Sequence, residues 1–358
     1  MTYLDFAAHT PLSKNAASIL RSSLDRETAN DQSVHRLGTG MRKDIIQAKK
    51  AIRDTVSARS DDVILFSGGG TEANIQALTV LCNGKKNGRM LITAIEHDSV
   101  RSFAKKKVED GWTVLELPVT ERGVVDITVA KEIFTKFKPD VFSCMFVNNE
   151  VGTEQPVRAL TQIARTAHPL VRIHCDAAQA PLYLPVNITT LDVDVLTLCG
   201  QKMYGPQGIG ILIGEEKYLD QIQSGTTPYA LTMSVTSAFV EAQANITSYT
   251  NQMKDLQSKL FAFLDKKGID FVRHGEGLPL ALSLSFPDID RDSEYLVSYL
   301  SEKGFYLSSK SACLGSKTRN SYVLDAMGVK QKNTLRISLG KGLSKKDMKL
   351  FVNALSNA

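Results

Sequence analysis

Three short segments of the chain carry side chains able to do chemistry, and they come in a fixed order. Ser67-Gly68-Gly69-Gly70-Thr71-Glu72 follows an apolar run and precedes a helical pattern. Glycines let a backbone approach a ligand closely, and a helix N-terminus offers N–H groups and partial positive charge to a phosphate. Taken alone, a plain tight turn reads equally well. Ile173-His174-Cys175-Asp176-Ala177-Ala178-Gln179-Ala180 ends an apolar run on an acid, which fits a carboxylate facing a ligand or a simple helix N-cap. Leu198-Cys199-Gly200-Gln201-Lys202 sets a lysine between an apolar run and the glycine-rich Tyr204-Gly205-Pro206-Gln207-Gly208. A partly buried lysine can serve as carbonyl nucleophile and general base, whereas a loop lysine does neither. In sequence, an anion cradle, an acid and an amine are the parts that pyridoxal phosphate requires for its phosphate, ring nitrogen and aldehyde.

The elements that must position these residues follow from the spacing of apolar runs. Short runs at 63–66, 90–94, 114–117, 141–147, 171–175, 193–198 and 209–213 alternate with helical patterns such as 72–81 and 157–167, the second stopped by Pro169. Strand, crossover helix, strand predicts an α/β domain with a seven-stranded, mainly parallel sheet flanked by helices. Residues 230–267 contain neither Gly nor Pro and repeat apolar residues at helical spacing, predicting one long helix or a helix pair. Beyond Gly268, expected strands at 281–286, 305–308 and 334–338 and helices at 293–303 and 344–355 form a smaller α+β unit. Ser344 with Asp347 three residues on is a capping signal. The expected division is a large domain over 13–250 and a small one from 1–12 with 251–358.

With 43% hydrophobic and 23% charged residues, the 358-residue chain has the composition of a globular enzyme and not of a disordered or fibrous protein. The 43 Lys and Arg exceed the 38 Asp and Glu by five, without a basic block, so no nucleic-acid partner is expected. No apolar run approaches a bilayer span and the first residues are not a leader, so no membrane association is expected. The six histidines and five cysteines show no metal-ligand spacing, and no metal is expected. Unpaired cysteine positions 82, 144, 175, 199 and 313 point to reduced thiols in the cytoplasm. Cys82, Cys144 and Cys175 sit in apolar runs, whereas Cys313 lies in the small, polar Ser308-Ser309-Lys310-Ser311-Ala312-Cys313-Leu314-Gly315-Ser316. Lys310 either lowers that thiol's pKa or is a solvated lysine.

The chain resembles the NifS/IscS-type cysteine desulfurases of the class V aminotransferase superfamily, fold type I. The likeness is carried by Tyr3-Leu4-Asp5, Ser67 to Glu72, Glu96-His97, Val147-Asn148-Asn149-Glu150-Val151-Gly152-Thr153, Asp176 to Ala180, Lys202 to Gly210, Ser308 to Cys313, Ser321-Tyr322-Val323-Leu324 and Arg336 to Gly340. It implies pyridoxal 5'-phosphate as cofactor, with Lys202 bonded to its aldehyde and Asp176 paired with its ring nitrogen. Gln179 would reach its phenolic oxygen, His97 would stack on its face, and Gly70 and Thr71 would bind its phosphate. Asn149 would lie beside cofactor and substrate, and Arg336 would hold the substrate carboxylate. Read without the resemblance, His97 is a capping or core histidine and Arg336 a surface ion pair. The implied reaction converts L-cysteine to L-alanine: Lys202 removes the Cα proton and Cys313 takes the sulfur as a persulfide. A sulfur-acceptor protein or thiol then collects it, in a homodimer that supplies iron–sulfur cluster or thio-cofactor assembly.

The sequence departs from the family pattern at four places. Gln201 replaces the histidine before the lysine, and Cys199 replaces a serine that donates to the phosphate. The R-x-G-T segment through which one subunit reaches the other's phosphate gives way to 223–229, Gln-Ser-Gly-Thr-Thr-Pro-Tyr, and the early G-N-P-S-S-x-H region to 29–35. Two other functions therefore stay open here. One is another class V activity, such as a selenocysteine or C–S lyase or an aminotransferase, and the other is a degenerate homologue acting as a binding subunit.

Overall fold

In chain order, β1 (Thr2–Tyr3), α1 (Lys14–Leu24) and α2 (Arg36–Thr55) precede the alternating region of a computed structural model that describes residues 1–26, 29–223, 225–309 and 321–358. There follow β2 (Asp62–Ser67), α3 (Gly70–Cys82), β3 (Arg89–Thr93), α4 (Asp98–Glu109), β4 (Thr113–Leu117), α5 (Ile127–Phe137) and β5 (Val141–Ser143). Next come α6 (Val157–Ala167), β6 (Arg172–Asp176), α7 (Ile188–Leu191), β7 (Val195–Cys199), β8 (Gly210–Glu215) and α8 (Glu216–Leu219). The chain continues through α9 (Tyr229–Ala244), α10 (Ile246–Lys267), β9 (Val272–His274), β10 (Leu282–Ser285) and α11 (Ser293–Glu302). It ends in β11 (Phe305–Tyr306), α12 (Tyr322–Ala326), β12 (Thr334–Ile337) and α13 (Lys345–Leu355).

Seven strands form one sheet in the order β2-β8-β7-β6-β5-β3-β4. Six run in one direction, and β8 is antiparallel to both β2 and β7. The reason is local: the return from Cys199 to Gly210 is shorter than the dozen residues a parallel crossover needs. The expected 141–147 strand ends at Ser143, yet Cys144 N and Phe146 N still donate to the carbonyls of His174 and Asp176. The 230–267 stretch is a pair of helices that breaks at Asn245.

The sheet is apolar on both faces, as a covered parallel sheet must be. Ile173, Leu196, Leu198, Ile211 and Ile213 are buried on one side, while Met90, Ile92, Val195 and Leu212 pack with Ala73, Ala77, Leu78 and Leu81 of α3 on the other. Each such side chain contributes on the order of 1.5–3 kcal/mol by leaving water. Beside this sheet lies a three-stranded antiparallel one, β12-β10-β9, whose β9 is too short to read as a strand in the sequence. The first residues return to this C-terminal region: β1 pairs in parallel with β11, and Asp5 bridges to Ser338. Ser344 closes a full capping box with Asp347 at the start of α13.

Candidate active site

Because β2, β3, β5, β6 and β7 all point the same way, their carboxyl ends meet at one edge of the sheet, where open α/β sheets hold ligands. Each delivers a polar residue there: Ser67 closes β2, Asp176 closes β6 and Cys199 closes β7. His97 lies shortly after β3, and Asn149 on the segment leaving β5. Among the described residues this edge holds a cavity of about 520 Å3, lined by Gly70, Thr71, His97, Asn149, Asp176, Gln179, Cys199, Gln201, Lys202 and Arg336. Every expected site residue except Cys313 is thus brought together. Cys313, with Lys310, lies outside the described residues.

The glycine segment works as a cradle. Gly69 sits at φ 141°, a conformation left to glycine, and caps α3 without a side-chain hydrogen bond. A Cβ at Gly70 would stand 3.1 Å from Cys199 Cβ, so any larger residue would crowd the close approach of helix and strand. Glu72 turns back and accepts from Gly68 N at 2.7 Å, which ties the loop to the first helical turn. Burial pushes the Cys199 thiol up despite nearby Lys202 and the amides of Gly70 and Gln201.

Asp176 is only 5% exposed and accepts at both oxygens, from Asn74 Nδ2 at 2.7 Å and from Ala178 N at 3.0 Å. Lys202 ends a single 3-10 turn, Gly200–Lys202. Its Nζ donates to the carbonyls of Ala7 at 2.7 Å and Ala8 at 2.5 Å. The Gln179 amide also donates to Ala7 O, at 2.9 Å, so Ala7 and Ala8 of the N-terminal segment form a wall of the cavity. Backbone Gln201 O holds that wall by accepting from Thr10 N and Oγ1.

His97 caps α4, its Nδ1 accepting from Ser99 N at 3.1 Å, and lines the cavity as well. The cap reading and the site reading are both realised in one residue. Arg336 is ion-paired, but its guanidinium is buried and not on the surface: at 3% exposure its Nη2 meets Oδ1 of the half-buried Asp5 at 2.7 Å, and its Nη1 donates to Asn149 O at 3.2 Å. Ser308 Oγ donates to the other Asp5 oxygen at 2.8 Å.

Sequence reasoning assigned no role to Asn74, Ser99 or Asp5. Asn74 carries a signal, being a polar residue on the face of α3 otherwise occupied by Ala73, Ala77 and Leu78. Among the described residues, no three His, Cys, Asp or Glu side chains cluster as metal ligands, and no helix is long and apolar enough to cross a membrane.

The aminotransferase class-V family model matches residues 2–228. The chain is 28% identical to "Cysteine desulfurase IscS" of Dictyoglomus turgidum over 99% of this chain and 93% of that protein. It is 29% identical to "Cysteine desulfurase, mitosomal" of Trachipleistophora hominis over 91% and 78% of the two chains. Among solved structures, a "NifS-like protein" superposes with a TM-score of 0.88 at 26% identity, covering 99% of this chain and 98% of its own. A protein titled SspA in complex with cysteine superposes at 0.80 with 25% identity, covering 95% and 99%. With the family pattern matched over more than half its length and the fold matched throughout, this chain belongs to the aminotransferase class-V family.

Proposed function

We propose that the chain is a pyridoxal-phosphate-dependent cysteine desulfurase that converts L-cysteine to L-alanine and carries the released sulfur on Cys313. The observation that supports this most is the convergence of three chemically different groups on one cavity: the uncapped glycine start of α3, the buried Asp176 carboxylate and the Lys202 amine. This donor set fits the cofactor's phosphate, ring nitrogen and aldehyde. The relatives named cysteine desulfurase and the neighbour solved with cysteine support the substrate.

In this reading the α3 N-terminus, Gly70 and Thr71 hold the phosphate, Asp176 the ring nitrogen and Lys202 the aldehyde, while His97 covers the ring, Gln179 reaches its oxygen and Cys199 and Gln201 complete the wall. Bound there, pyridoxal phosphate supplies an electron sink for charge developing at the substrate Cα. Arg336 and Asn149 orient the substrate, the guanidinium holding its carboxylate. Lys202 Nζ accepts the Cα proton, for which it must leave the Ala7 and Ala8 carbonyls. The Cys313 thiolate attacks the substrate sulfur, the Cβ–S bond breaks with its electron pair passing to carbon, and the sulfur remains as Cys313–S–SH; Cβ takes up a proton, Cα regains one from Lys202, and alanine leaves. An acceptor thiol or protein then collects the sulfur for iron–sulfur cluster or thio-cofactor assembly.

The same reading takes the protein as a cytoplasmic homodimer with domains 13–250 and 1–12 plus 251–358. Four buried free thiols support a reducing compartment. Exposed Leu24, Val34, Leu37 and Ile46 on and beside α1 and α2 support association, and the β1–β11 pairing supports the domain division.

Feeding L-cysteine to the holoprotein should yield alanine in solution and one added sulfur on the peptide containing Cys313, both read by mass. Alanine formation that survives Cys313→Ala at the original rate would overturn the desulfurase reading and favour another class V reaction.

A further inference from the structure

Four side chains at the floor of the cavity form one continuous hydrogen-bonded chain. Asn74 Nδ2 donates to Asp176 Oδ2 at 2.7 Å and to Ser99 Oγ at 3.0 Å. Ser99 Oγ lies 2.8 Å from His97 Nδ1, and Ser99 N donates to the same nitrogen at 3.1 Å. Asn74, Ser99 and Asp176 are all buried, Asn74 to 2% exposure.

The chemistry of the members fixes the direction of every bond. A carboxylate oxygen only accepts, so Asn74 must present its NH2 and not its carbonyl to Asp176; the flipped amide would set two acceptors 2.7 Å apart. The second amide hydrogen then occupies Ser99 Oγ as a donor. Ser99 Oγ keeps a hydrogen to give, and because His97 Nδ1 already receives the Ser99 backbone N–H, the hydroxyl is the donor in its contact with that nitrogen. A nitrogen facing two donors carries no proton. The imidazole is therefore neutral with its proton on Nε2.

We propose that Asn74 is a positioning residue for two groups at once: it aims a donor at Asp176 and, by filling one acceptor site of the Ser99 hydroxyl, favours that hydroxyl as a donor to His97 in the Nε2–H tautomer. The inference rests on the desulfurase reading only for what the two residues then do. The hydrogen-bond polarity stands on the geometry.

The test is long-range proton–nitrogen correlation spectroscopy on holoprotein carrying 15N-histidine, with His97 assigned by its loss in His97→Gln. His97 should show a pyrrole-like Nε2 and a pyridine-like Nδ1. In Ser99→Ala and in the isosteric Asn74→Leu, the two nitrogen shifts should move toward each other as the second tautomer becomes populated. A wild-type His97 that is protonated or carries its proton on Nδ1 overturns the proposal even if neither variant folds. So does an unchanged pattern in both variants. None of these readouts depends on turnover, so a failed sulfur-transfer assay leaves this proposal standing, and its failure leaves the desulfurase reading standing.

Discussion

The Lys202 amine is held by two main-chain carbonyls and the Asp176 carboxylate by an amide side chain and a main-chain N–H, so both partners of the chemistry are oriented by groups of the fold itself. These two residues were legible in the sequence because their order matched a known set of chemical needs. Asn74 and Ser99 were not, because a lone polar residue in a helical pattern reads as its solvent face until the packing is known. Glu96 is a further case. It is fully buried, with Oε1 accepting from Thr93 Oγ1 at 2.6 Å and from Met145 N at 2.8 Å, while Oε2 has no partner among the described residues. Burial pushes its carboxyl up to about 7, the nearby Asp176 charge adding to the effect. A raised folded-state value means that the protonated form favours the fold. That stability is fully present below the ordinary value of 4.5 and is lost as pH rises through about 7. Relative to Glu96→Gln, the wild type should lose on the order of 1–3 kcal/mol between pH 5 and pH 8 in urea unfolding. Identical pH profiles for the two proteins would refute this assignment.

At the scale of elements, the sheet places the site by ending five strands at one edge, and the α3 N-terminus supplies the anion cradle. Most strands were readable to within a residue or two because buried parallel strands are continuous apolar runs. The direction of β8 was not read, although the brevity of 200–209 carries it: apolar content specifies that a strand exists, and only the connection specifies which way it runs. Segment β9 escaped because three residues are too few for any periodicity. The cradle depends on Gly69. Placing a Cβ at φ 141° costs about 1–3 kcal/mol although no atom lies within 4 Å to clash with it. Gly69→Ala should lower the denaturation midpoint accordingly and weaken pyridoxal phosphate binding in an absorbance titration. Unchanged values of both would show that the loop's conformation is immaterial.

Over the whole molecule, distant stretches of chain complete one another. The Asp5–Arg336 pair joins residues 331 apart in sequence, and Ser308 at the start of the Cys313 segment shares the same carboxylate. Removing the half-buried Asp5 leaves the buried Arg336 charge uncompensated. Asp5→Asn should therefore cost about 3 kcal/mol of stability by the precedent for such pairs and raise the KM for L-cysteine more than it lowers kcat. A variant with wild-type melting and KM would exclude a role for Asp5 in orienting Arg336. The N-terminal wall also has a temporal consequence. Ala7 and Ala8 must wait for Lys202, and Asp5 for Arg336, so a growing chain on the ribosome has no finished cavity until residue 336 has emerged. Synthesis itself thus delays the moment at which this protein can capture its cofactor, and any fragment released early is born without a site.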